Sequence, residues 1–310
     1  MSAAPGFVDL QVNGYAGVDF NSDSLSAEGL HRACAAMRAD GVAGFLPTVI
    51  TDALPAMSRR LARLVELRAA DPVARAMIPG LHIEGPFLSP EPGYRGAHDA
   101  TKMTPATPDA MRSLLDAAGG LARLVTLAPE ADARCATVAL LARAGVRVAA
   151  GHCNATLDQL RAALDAGLSM YTHLGNGCPV EMPRHDNIVQ RVLHLADRFA
   201  AVMFIADGVH VPAFALGNYV KLVGPERTVV VTDAMTAAGL GPGRYRLGRW
   251  EVDVGADGAA WAPDRSHLVG SAMTMRQAVA LLRSELRLSD EAIEAMTARL
   301  PAALLGLATA

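Results

Sequence analysis

Eight short apolar runs recur along the chain, and strand after strand ends in a side chain capable of chemistry. The runs are FVDLQV (7–12), GFLPTVI (44–50), MIPGLHIEG (77–85), LARLVTLAP (121–129), VRVAAGH (146–152), LSMYTH (168–173), FAAVMFIAD (199–207) and TVVVTD (228–233). Helix-patterned stretches separate nearly all of them. Met57, Leu61, Leu64, Val65 and Leu67 follow the second run at helical spacing, and ATLDQLRAALDAG (155–167) follows the fifth. Buried-looking strands joined by helical crossovers imply a parallel sheet, and eight of them imply α/β architecture closed into a (β/α)8 TIM barrel. A chain of 310 residues that is 51% hydrophobic can fill one such core. An open, doubly wound sheet is the alternative, but it needs polar termini on fewer strands. The whole chain, 1–310, therefore reads as one barrel domain.

Those polar ends are Gln11/Asn13, Thr48, His82/Glu84, Glu130, His152, His173, Asp207/His210 and Asp233. Active sites of such barrels lie at the C-terminal ends of the strands, so these groups are expected to meet at one mouth. Two segments interrupt the rhythm. FLSPEPGYRGAHDATKMTPATP, after the third run, is loop by composition. The stretch 241–271 has short alternating runs and a Gly-Ala-Asp-Gly turn, which predicts a β-hairpin excursion after the eighth strand. Helices from about 272 to 303 then close the fold.

Composition excludes several classes of function. The net charge of −3 gives no electrostatic case for nucleic acid or an acidic membrane surface. No apolar run reaches membrane-spanning length, and the start MSAAPGFVDL has no basic region followed by a long apolar one. The four cysteines (Cys34, Cys135, Cys153, Cys178) form no C-x-x-C pair, which suits a reducing cytoplasm better than disulfides.

Glu84, His152 and His173 each follow an apolar run. Taken singly, each is more often a hydrogen-bonded residue than a ligand. On the third, fifth and sixth strands of one barrel, a carboxylate and two imidazoles make a set for one divalent metal with a position open for water. Zinc is expected first, with iron or manganese compatible with the same donors. Asp233 would share that mouth as general base and acid, its plainer role being a turn cap. His98, in the Gly-rich GYRGAHD, could swing over the mouth and stabilise an oxyanion. His210 and Asn176 are candidate substrate contacts; His31, His185, His194 and His267 are left as surface or structural.

In register from Pro5 to about Leu307, the segments PGFVDLQVNGYAGVDFN, PGLHIEGPFL, VTLAPE, AAGHCNATLDQL, THLGN, ADGVH, VVTDAM and LVGSAMTM resemble the N-acetylglucosamine-6-phosphate deacetylase family of the amidohydrolase superfamily. The resemblance implies metal ligands Glu84, His152 and His173, a proton-transferring Asp233, and a His98 that polarises the acetamide carbonyl. It implies that His210 and the backbone at Asn176 and Gly177 hold the sugar or its phosphate. Arg184 stands where the family's phosphate-contacting arginine belongs, reaching across the interface of a homodimer. The implied substrate is a small amino sugar, N-acetylglucosamine 6-phosphate, split to the free amine and acetate. An unphosphorylated or different N-acyl sugar, another small amide, and a catalytically silent sugar-phosphate sensor remain the alternatives.

The chain departs from the family pattern at three places. It reads RHDN (184–187) where members carry Arg-Glu-Pro-Gly, and THLGNGCP where they carry THLFNAMP. The β-sandwich segments that the family builds from both termini are expected to be largely missing. Many barrels of the superfamily end their first strand in His-x-His, which supplies a second metal. Here those positions are Gln11 and Asn13, amides that bind metals poorly, and they predict a vacated second-metal position.

Overall fold

The computed structural model describes residues 6–307. Eight parallel strands pair in sequence order: β1 (Phe7–Val12), β2 (Val42–Ile50), β3 (Leu81–Glu84), β4 (Ala122–Leu127), β5 (Arg147–Ala150), β6 (Met170–Tyr171), β7 (Ala201–Ile205) and β8 (Thr228–Val231). A helix follows each one, from Ala27–Ala39 after β1 to Met275–Ser284 after β8. The strands are buried almost throughout because the helices cover one face and the barrel interior the other. Helix starts are written locally. Thr156 and Thr274 each accept the N–H three residues on, while Gln159 and Gln277 reach back to the cap, forming capping boxes.

Between β1 and β8 the wall is closed by a side chain. The buried carboxylate of Asp9 on β1 accepts the hydroxyl of Thr232 at 2.6 Å through Oδ2. Its Oδ1 accepts the N–H of Thr232 at 3.2 Å and that of Gln11 at 3.3 Å. One step nearer the mouth, the N–H of Asn13 meets the Ala234 carbonyl at 2.7 Å. The seam thus fixes Gln11 and Asn13 of β1 against Asp233, which follows β8.

A belt of hydrogen bonds crosses the barrel interior. The N–H of Val12 donates to Thr48 Oγ1 at 3.0 Å, and Thr48 Oγ1 lies 3.3 Å from His82 Nδ1. His82 Nε2 lies 2.8 Å from Thr126 Oγ1, which lies 2.7 Å from Thr172 Oγ1. Thr48 and His82, counted among the reactive strand ends by sequence, are thus engaged in this belt. Burial pushes the His82 imidazole down to about 4, so the belt is neutral at ordinary pH.

After β8 the chain leaves the barrel as an antiparallel hairpin, β9 (Gly243–Leu247) and β10 (Trp250–Val254), to which β11 (Ala260–Trp261) adds a short third strand. Leu247, Val252, Val254 and Ala260 bury their side chains against Met235 and Val269 in a small core of its own.

Burial pushes the Asp9 carboxyl up to about 7. A carboxyl raised above its unfolded value keeps its proton in the fold where the unfolded chain has lost it, so stability declines as pH rises between the two values and is level above about 7. Asp9→Asn mimics the protonated acid and removes that slope. Its melting temperature relative to wild type is expected to rise between about pH 5 and about pH 8, as read by calorimetry. An equal offset at both pH values would show that Asp9 does not titrate this way.

Candidate metal centre and active site

Three strand exits carry a non-glycine residue in left-handed backbone: His152 (φ 48°), His173 (φ 29°) and Asp233 (φ 50°). Such conformations cost about 1–3 kcal/mol each and persist where the surroundings hold them. Here they turn the side chains at the ends of β5, β6 and β8 over one opening. Glu84 comes from the end of β3 and is buried.

The Glu84 carboxylate is the centre of the cluster. His173 Nε2 lies 3.2 Å from Oε1, His152 Nε2 3.5 Å from Oε1, and His98 Nε2 4.0 Å from Oε2. The rings stand edge to face, His98 to His152 at 4.4 Å between centroids and His152 to His173 at 4.9 Å. Gly96 and Gly177 pack against His152; a Cβ on either would come within 2.8 Å or 2.7 Å of its ring. Gly177 thus gives His152 the room it occupies.

Gln11 and Asn13 complete the centre. Gln11 Nε2 donates toward Glu84 Oε1 (3.0 Å), Glu84 Oε2 (3.1 Å) and Asp233 Oδ1 (3.1 Å). Asn13 Nδ2 donates to the same Asp233 oxygen at 2.6 Å. Ionised carboxylates only accept, which fixes both amide orientations and leaves Gln11 Oε1 and Asn13 Oδ1 buried without partners. One amide nitrogen therefore bridges two carboxylates.

The electrostatics follow from this crowding. Burial opposes the Glu84 charge, but contacts from His152 and His173 and the nearby His98 outweigh it and hold its pKa well below the carboxylate range. Burial and the neighbouring Glu84 charge push Asp233 up. For His173, burial opposes the charged form, yet the Glu84 contact prevails and raises it. Burial, with the neighbouring His152 imidazole, pushes His98 down to about 3, so His98 is neutral.

His98 is not a loosely swinging loop residue. Its side chain is only 7% exposed, and the hairpin grips the loop on both sides of it. Trp250 Nε1 donates to the Ala97 carbonyl at 2.9 Å, and Arg249 pairs with Asp99 at 2.8 Å. A cleft of about 740 Å³ borders His98 on its outer side, lined also by Asp19, Arg246 and Trp250. This grip was not legible in sequence, since nothing in GRWEV announces its target.

The remaining candidates are dispersed. His210 is held against Asp207 at 2.6 Å beyond β7. Asn176 closes a turn onto the His173 carbonyl at 3.0 Å, its Nδ2 buried and unpartnered. Arg184 is exposed on the loop after β6 and makes no ion pair among the described residues. Glu130 turns away from the cluster to accept the N–H of Asn154 at 2.5 Å, bracing the segment after His152.

The donors fit a divalent cation. His152 Nδ1 lies 2.8 Å from the Tyr94 carbonyl, which can only accept, so Nδ1 carries a proton. In the neutral ring, Nε2 would then direct its lone pair toward a Glu84 oxygen 3.5 Å away, an arrangement that a cation between them would satisfy. The ligand atoms of Glu84, His98 and His152 all lie within 4.8 Å of one another, and His173 adjoins them. A carboxylate with imidazoles suits a transition metal of the zinc, iron or manganese kind.

Barrel, strand-end chemistry and cluster together define an amidohydrolase-type enzyme acting on carbon–nitrogen bonds, and the Amidohydrolase family model matches residues 2–236. N-acetylglucosamine-6-phosphate deacetylases of Bos taurus and Homo sapiens are 35% and 36% identical to it, each over 98% of this chain and 74% of the relative. An N-acetylgalactosamine-6-phosphate deacetylase of Escherichia coli O157:H7 is 32% identical over 89% of this chain and 70% of its own. A mutant N-acetyl-D-glucosamine-6-phosphate deacetylase from Mycobacterium smegmatis, solved in complex with N-acetyl-D-glucosamine-6-phosphate, matches with a TM-score of 0.87 and 35% identity, over 98% of this chain and 78% of that one. The chain belongs to the N-acetylglucosamine-6-phosphate deacetylase family.

Four side chains thus surround a site that three ligands would fill, and metal content separates them. Glu84→Ala and His173→Asn are expected to lose bound metal on dialysis, whereas His98→Asn is expected to retain it, read by elemental analysis. Loss from His98→Asn with retention in His173→Asn would exchange their roles.

Proposed function

We propose that this protein hydrolyses the acetamide of N-acetylglucosamine 6-phosphate, giving glucosamine 6-phosphate and acetate. The observation that carries the reading is the Asp233 carboxylate, held by Gln11 and Asn13 beside a buried Glu84–imidazole cluster. Glu84, His152 and His173 would hold one divalent ion, zinc being the first expectation. When bound, such an ion acts as a Lewis acid that lowers the pKa of water toward ~7.

The chain's own groups do the rest. Asp233, with its affinity for a proton raised by burial and by Glu84, takes the proton of the attacking water and delivers it to the departing sugar nitrogen. Neutral His98 offers an N–H to the acetamide oxygen as negative charge develops there, and burial strengthens that contact. His210 and the turn at Asn176 and Gly177 hold the sugar. Arg184, exposed and without an ion pair among the described residues, would read the phosphate of a substrate bound in a second copy of the chain, which would make a homodimer the working assembly. Among the described residues no helix is long and apolar enough to cross a membrane.

Asp233→Asn keeps the shape of the side chain and removes its proton transfer. Turnover of N-acetylglucosamine 6-phosphate is expected to fall by at least ~100-fold while metal content stays at the wild-type level. Near-normal turnover in that variant would remove Asp233 from the mechanism. Equal wild-type rates on the phosphorylated and plain sugars would remove the phosphate from the substrate.

A further inference from the structure

Besides the Glu84 cluster, the mouth contains a second sequestered carboxylate–imidazole pair. β7 exits through Asp207, and the turn Asp207–His210 folds back onto that carboxylate. Oδ1 accepts the N–H of Val209 at 2.9 Å and that of His210 at 2.8 Å, while Oδ2 lies 2.6 Å from His210 Nδ1. The two side chains are 8% and 7% exposed. Burial disfavours the Asp207 charge, yet the contact with His210 prevails and holds its pKa below the ordinary value. β7 stands between β6, which leads into His173, and β8, which leads into Asp233, so the pair sits at the edge of the reaction site. His210 Nε2 makes no hydrogen bond among the described residues.

We propose that Asp207 is a positioning residue that keeps the proton of His210 on Nδ1, so that Nε2 meets the substrate as a hydrogen-bond acceptor for a sugar hydroxyl. Donor and acceptor identity decides the matter. An ionised carboxylate can only accept, so the nitrogen facing it must carry the proton and the other must present a lone pair in the neutral ring. A lone pair attracts a hydroxyl and repels a fully ionised phosphate, which leaves the phosphate to a cation elsewhere. This role for the hydroxyl deepens the sugar reading above and depends on it; the position of the proton does not.

Asp207→Asn inverts the arrangement without changing its shape. The two backbone N–H groups hold the amide oxygen where Oδ1 now sits, so the NH2 must face His210 Nδ1. The ring proton is then driven to Nε2, which becomes a donor. The test is a 15N spectrum of histidine-labelled protein at alkaline pH without substrate, with His210 assigned by its loss in His210→Gln. Wild type is expected to show a protonated Nδ1 and a bare Nε2, and Asp207→Asn the reverse. In parallel, KM for the N-acetyl sugar phosphate should rise roughly tenfold in Asp207→Asn, with metal content unchanged and kcat less affected. A wild-type ring with its proton on Nε2 overturns the inference, and this spectrum decides even if the variant does not fold. An exchanged tautomer with unchanged KM overturns the substrate role of Nε2. Because the spectrum is taken without sugar, the proton position it reads does not depend on whether wild type turns over the proposed substrate.

Discussion

The Glu84 carboxylate lies inside the barrel mouth, cut off from water, with Asp233 within reach of the same amide nitrogen. Sequestering an ion in this way costs several kcal/mol unless its oxygens find partners, and two carboxylates close together raise that cost. Around Glu84 stand three imidazoles and the amide of Gln11, and the amide of Asn13 donates to Asp233. The amides matter because they add no charge. Gln11 Nε2 spans Glu84 and Asp233, where on the proposed reading it takes the place of a second cation, and the space between Glu84 and the imidazole Nε2 atoms would hold the one ion. Metal binding and the proton affinity of Asp233 are therefore two consequences of a single arrangement of charge.

The scaffold around this centre is built to resist collapse. Strand β1 is tied to Thr232 by the Asp9 carboxylate and to Thr48 by a backbone N–H, which fixes Gln11 relative to Asp233 and Glu84. Below, the Thr48–His82–Thr126–Thr172 belt joins β2, β3, β4 and the chain beside β6. Above, the hairpin after β8 holds the His98 loop through Trp250 and Arg249. Within this braced surround His152, His173 and Asp233 keep left-handed backbone.

Much of this architecture is legible in the sequence alone. The apolar runs match the eight barrel strands because a two-sided buried strand reads as a continuous apolar run, and the polar ends mark the mouth because side chains there escape the core. Glu84, His152, His173, Asp233, Gln11 and Asn13 are all visible in this way. What pattern cannot separate is depth: His82 and Glu84 share a strand face two residues apart, yet one is locked into the belt and the other is the centre of the cluster. Nor can it supply partners distant in sequence, such as Tyr94 for His152 or Trp250 for the His98 loop. The Asp207–His210 pair is within reach, since the two stand three residues apart in a Gly-containing turn, but only geometry shows which nitrogen faces the acid. Arg184 is identified by resemblance, and nothing within one chain brings it to the cluster.

An uncharged amide occupying the place of a second cation, so that one ion suffices, is the central claim. Metal stoichiometry tests it most directly: the purified protein is loaded with excess zinc, desalted and analysed for metal per chain. One tightly held ion per chain is expected in wild type. A second ion is expected only when Gln11 and Asn13 are both replaced by histidine. Two tightly held ions per wild-type chain would contradict the claim.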